Sequence, residues 1–180
     1  DRDEEPDLFQ ERNQVLLRKL RSQYQLARCT YERGQTFEMG SQERNETLIR
    51  ASSEFEKIYQ ENRSTPLGRL SNLMRGKCFQ EQGDIGRAVS FYNDVKDDRS
   101  NQPAVVQLRA YAVQFRLICL NHETRNDYQL VVTEATEWLA DNVNRPLLGT
   151  EQGIGIKWER ALAYEKMSAE REIEEKARNQ

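Results

Sequence analysis

"RGKCFQEQGDIGRAVSFYNDV", Arg75 to Val95, decides the fold. Gly76, Gly83-Asp84 and Ala88 punctuate it, and Phe79 and Tyr92 are aromatic residues within it. Its small residues stand where Leu would bury more surface. Two antiparallel helices joined by a few residues must cross closely, and small side chains let their backbones approach. The stretch therefore reads as a helical hairpin. Gly76 and Ala88 mark the crossing, Gly83 supplies a left-handed turn, and Asp84 caps the second helix.

Working outward, the same helical period recurs. Toward the N-terminus, Leu16, Leu20, Tyr24, Ala27 and Tyr31 form one stripe, which predicts a helix over about residues 9–38. Gly40-Ser41 breaks it, with Gly as a C-cap and Ser as the next N-cap. Leu48, Ala51, Phe55 and Ile58 form a second stripe. Asn62 to Gly68 is a turn with Pro66 in the first turn of a third helix, which carries Leu67, Leu70, Leu73, Met74 and Phe79. Ile85, Ala88, Tyr92 and Val95 mark a fourth helix.

Toward the C-terminus, Val105, Leu108, Ala112, Phe115 and Cys119 mark a fifth helix, and Tyr128, Val131, Ala135 and Trp138 a sixth. Asn142 to Gly153 reads as the longest loop. A seventh helix begins near Ile154 with Trp158 and Leu162, and Trp138 and Trp158 are expected in the core. No stretch alternates as a strand would, so the class is all-α. The expected organisation is an acidic lead-in over 1–8, helical repeats over 9–167 and a charged helical tail over 168–180. The lack of an initial Met suggests a piece excised from a longer protein.

Helix pairs recurring every 34 to 45 residues or so are the mark of an α-solenoid. Gly76, Phe79, Gly83-Asp84, Ala88 and Tyr92 fall at the spacings of a tetratricopeptide repeat, and residues 69–102 resemble one. Arg75 stands where the family usually has Leu, and Val95 where it has Ala. The neighbouring units keep the pattern in degenerate form. Glu54 to Asp84 is also similar to tetratricopeptide proteins of the bacterial cell envelope. The resemblance implies about three antiparallel helix pairs plus a C-terminal helix. It also implies a concave protein- or peptide-binding surface, lined by Lys77, Gln80 and Glu81 in the matched repeat and by Arg109 and Arg116 in the next.

The chemistry of the chain agrees with a binding role. Lys and Arg number 27 against 30 Asp and Glu, with no basic stripe of the kind nucleic acid requires. The excess of Arg suits carboxylate contacts, and a genomic bias explains it equally well. No apolar run reaches membrane-spanning length. The single histidine, His122, sits at a helix end without metal-ligand spacing. Gly149 to Gly155 is glycine-rich but lacks the strand and Lys of a phosphate loop, and reads as a flexible connection. Cys29, Cys78 and Cys119 read as reduced, buried fillers. The expected protein is thus a non-catalytic scaffold without cofactor, and oligomerisation is possible. A structural spacer or oligomerisation segment is the alternative. Cytoplasm and bacterial envelope both remain open.

Overall fold

A computed structural model describes residues 6–178. The elements are α1 (Pro6–Gln35), α2 (Gln42–Glu61), α3 (Pro66–Glu81), α4 (Ile85–Lys96), α5 (Pro103–Leu120), α6 (Tyr128–Ala140), a 3-10 helix (Asn142–Leu147) and α7 (Glu151–Arg178). No strand occurs among the described residues, so the protein is all-α. The first five residues of the expected lead-in lie outside the described residues. Asp7 and Leu8 already belong to α1.

The chain forms two compact units, one up to Phe91 and one from Tyr92, with the boundary inside α4. In the first, α1, α2 and α3 pack mutually. The run of contacts gives their directions. Going forward along α1, Ala27 and Gly34 face progressively earlier residues of α2, Ile58 and then Leu48. Arg75 of α3 meets Glu56, and Glu81 meets Arg44. α2 is thus antiparallel to both neighbours. Leu20, Tyr24, Ala27, Tyr31, Leu48, Ala51, Phe55 and Ile58 form the core, with the Tyr24 and Phe55 rings 5.6 Å apart. In the second unit α6 is antiparallel to α5, where the Asp127 N–H meets the Leu120 carbonyl and Glu134 meets Arg116, and to α7, where Tyr128 meets Lys166 and Thr136 meets Arg160. Leu117, Leu120, Val131, Ala135, Ile156 and Ala163 are its core.

The hairpin around Gly83 folds as its sequence dictates. Gly83 has φ +78°, which L side chains rarely adopt. The Gly83 N–H donates to the Gln80 carbonyl and the Asp84 N–H to the Phe79 carbonyl, closing a Schellman turn. Asp84 Oδ1 accepts the Arg87 N–H at 3.0 Å and caps α4. Backbone donation from Arg87 is the main reason the Asp84 carboxyl sits below its ordinary range. Gly76 and Ala88 are both buried. Phe79 packs within the hairpin. It stacks on Phe91 across the hairpin at 5.3 Å, with Arg75 over the Phe91 ring and Arg87 over the Phe79 ring. Tyr92 is fully buried and meets Phe115 of α5.

Several expectations need correction. α1 ends at Gln35, because the Thr36 backbone and side chain both turn back to the Arg33 carbonyl. Gly40 is therefore not its cap, but lies at φ +78° before Ser41, which does cap α2. The stretch from Asn142 to Gly153 is not a loop. It holds the 3-10 helix, capped by Asp141, and the first turn of α7. Gly153 and Gly155 are helical, and a Cβ on Gly153 would lie 2.2 Å from the Leu147 carbonyl oxygen. Its small size serves that close approach and not flexibility. Trp158 is 67% exposed, because α7 turns Gln152, Ile156, Glu159 and Ala163 inward instead. Cys29 is exposed, lying off the line of Ala27 and Tyr31. Cys78 and Cys119 are buried as expected, and burial pushes the Cys78 thiol up to about 12.

Candidate functional site

Two antiparallel helices leave a trough on each side of their contact line, and one between α1 and α2 is open. Its larger recess, about 570 Å³, is lined by Leu26, Cys29, Thr30, Arg33, Glu46, Thr47, Arg50 and Glu54. A second recess of about 300 Å³ shares Leu26 and Glu54 and adds Ala27, Lys57, Ile58 and Glu61. The shared residues make the two recesses one elongated feature. Leu26, 68% exposed, is its central apolar residue.

The walls carry both signs of charge. Glu54 anchors one side: its Oε2 accepts the Thr30 hydroxyl at 2.7 Å and its Oε1 accepts Arg50 Nε at 2.9 Å. Arg33 holds its guanidinium 5.9 Å from the Phe37 ring. The reason for this arrangement is local. The buried line of α1 is Leu20, Tyr24, Ala27 and Tyr31, so Leu26, Cys29 and Arg33 fall beside it, at the lip of the contact with α2. Composition gives no hint of this, because an exposed Leu is ordinary on any surface.

The five residues expected to line a groove fall into two sets. In the first unit Lys77 Nζ lies 3.7 Å from Glu81 Oε1. Gln80 is half-buried beside them on α3. Glu81 also takes Arg44 Nη2 at 2.6 Å, while Arg44 Nη1 donates to the carbonyls of Gln35 and Phe37 at the end of α1. Arg44 is buried, and it ties α1, α2 and α3 together at one end. Burial, followed by the field of Glu81, holds the nearby Tyr31 hydroxyl well above its usual range. In the second unit Arg109 Nη1 donates to the Asp98 carbonyl at 2.6 Å, and Arg116 pairs with Glu134 at 2.6 Å with both side chains largely covered. Glu81, Arg109 and Arg116 thus make short internal contacts.

Elsewhere in the second unit, Asn121 Nδ2 donates to the Glu159 carbonyl at 2.9 Å and to its carboxylate at 2.8 Å. Lys166 Nζ donates to the Asn121 carbonyl and lies over the Tyr128 ring. Burial raises the Glu159 carboxyl above its ordinary range against the pull of Asn121 and Lys166. His122 follows α5, with Nδ1 2.9 Å from the Thr124 hydroxyl. Among the described residues no group of three or more His, Cys, Asp or Glu is placed to hold a metal ion, and no helix is long and apolar enough to cross a membrane.

Comparison of the chain with protein-family models, with curated proteins and with solved structures found no match.

Proposed function

We propose that the chain is a non-catalytic protein- or peptide-binding scaffold built from tetratricopeptide-like helical repeats. The observation that carries this reading is the α1–α2 trough. It is elongated, its centre is an exposed leucine, and its walls offer Arg33, Arg50, Glu54 and Lys57. An extended peptide or a partner helix can set an apolar side chain on Leu26 and its polar groups on the walls, as in helix-in-groove recognition. The Schellman-closed hairpin of α3 and α4, with its buried Gly76 and Ala88, supports the repeat assignment. The spacer or oligomerisation reading is favoured by a different feature, the uncovered ends of α1 and α7.

The trough is tested by selecting peptides from a displayed random library on the immobilised chain. Binders are expected to enrich and to lose most of their affinity for Leu26→Glu, since a central apolar anchor is worth about 2 kcal/mol or more. Leu26 is exposed, so the unfolding free energy of that variant should stay within about 0.5 kcal/mol of the parent's. Enriched binders indifferent to Leu26→Glu would move the site elsewhere, and no enrichment would remove the reading.

A further inference from the structure

We propose that the uncovered end of α1 is a docking face for the end of α7 of a second copy, so that copies associate head to tail. This inference uses a different stretch of α1 from the trough, before Leu20, and does not rest on the trough's function.

α1 has 30 residues and α2 has 20, so α1 is about 15 Å longer at 1.5 Å per residue. Every residue from 7 to 19 is exposed, whereas the line Leu20, Tyr24, Ala27 and Tyr31 is core. Leu16 stands four residues before Leu20, on the same line. It is 50% exposed, and Leu17 beside it is 52% exposed. The apolar face that α2 and α3 cover therefore continues past them. Arg12 and Lys19, four residues before Leu16 and three after it, border that face.

α7 has the matching feature at its other end. From Ser168 to Lys176 every residue is exposed. Ile173 has Ala169 and Ala177 four residues to either side, which makes one apolar line. Glu170 and Glu174, also four apart, border it on one side, with Arg178 3.5 Å from Glu174 in an exposed pair, and Lys176 stands on the other side. One exposed end is thus apolar with a basic margin, and the other is apolar with two glutamates along one margin. Two α1 ends placed together would set Arg12 and Lys19 against their own kind. The α7 end sets Glu170 and Glu174 against them. Charge complementarity of this sort selects partner and register. A contact between two different surfaces of one chain is heterologous, so it builds rings or open chains and not only dimers.

Sedimentation velocity over a range of concentrations tests the proposal. The average mass of the parent chain is expected to rise with concentration, and to rise less in about 1 M salt, where the Debye length falls to about 3 Å. Leu16→Asp should weaken association about tenfold or more, the scale of a lost interface anchor. Lys19→Glu alone and Glu174→Lys alone should each weaken it, and the chain carrying both changes should recover it. All these positions are exposed, and circular dichroism confirms that each variant is folded before its mass is read. A monomer at every concentration overturns the proposal. So does association that Leu16→Asp abolishes while Glu170→Lys and Glu174→Lys leave it unchanged, since that result assigns the face to another α1.

Discussion

Each unit holds a covered glutamate beside a helix C-terminus, Glu81 at the end of α3 and Glu159 against Asn121 at the end of α5, and the two are treated in opposite ways. Glu81 in the first unit receives the Arg44 guanidinium at 2.6 Å and the Lys77 ammonium at 3.7 Å. Glu159 in the second receives the neutral Asn121 amide, while the nearest ammonium, on Lys166, turns to the Asn121 carbonyl and the Tyr128 ring. A carboxylate that meets a cation compensates its lost hydration by Coulomb attraction and charged hydrogen bonds. One that meets an amide recovers only part of it. The same residue type therefore acts as a clamp in one unit and as a burden in the other.

Breaking the clamp is expected to give the largest effect. Arg44→Met keeps most of the buried stem but removes three contacts: two carbonyls at the end of α1 and the Glu81 carboxylate. Removal of one member of a buried pair typically costs about 3–5 kcal/mol. Glu81 retains some exposure and Lys77, so about 3 kcal/mol is expected. Chemical denaturation checks it. A loss below about 1 kcal/mol would show that the three helix ends are held by their apolar core alone.

Glu81→Gln sharpens the comparison by keeping shape and removing charge. Hydrogen bonds to a charged group contribute about 1.5–3 kcal/mol and neutral ones about 0.5–1.5. The variant should therefore lose about 1–2 kcal/mol at neutral pH, less than Arg44→Met. Equal losses in the two variants would mean that the carbonyl contacts of Arg44 contribute nothing.

How much of this was legible in the sequence depends on whether a residue obeys local or tertiary rules. The turn at Gly83-Asp84, the cap at Ser41 and the helical start at Pro66 follow from backbone chemistry within a few residues, and all are present. The glycines from 149 to 155 look the same in sequence as a flexible loop. Only the approach of the Leu147 carbonyl to Gly153 shows why one of them is small. Trp158 misled because large apolar residues usually turn inward, whereas α7 buries Gln152 and Glu159. The Glu159 site depends on Asn121, 38 residues away, and the Arg44 clamp on Glu81, 37 away. No spacing rule links such positions. The trough was illegible for a similar reason: Leu26 gains meaning only from the α2 residues that face it.

Glu159→Gln is the smallest expected effect and the one that decides the comparison. Burial raises the Glu159 carboxyl in the fold, so the folded chain holds this proton to higher pH than the unfolded chain, whose glutamates titrate near about 4.3. Its contribution is fully present below that range and is lost as pH rises through the raised folded value. Gln cannot lose a proton, and it can still accept from Asn121 Nδ2. Its own amide N–H can turn to Asn121 Oδ1, a buried oxygen that has no hydrogen-bond partner in the structure. The variant should match the parent at low pH and equal or exceed its stability at neutral pH, the reverse of Glu81→Gln. Denaturant midpoints measured from about pH 4 to 7 read this directly. A parent chain whose advantage over Glu159→Gln grows with pH would show that Lys166 compensates the buried charge after all, and that both glutamates are clamps.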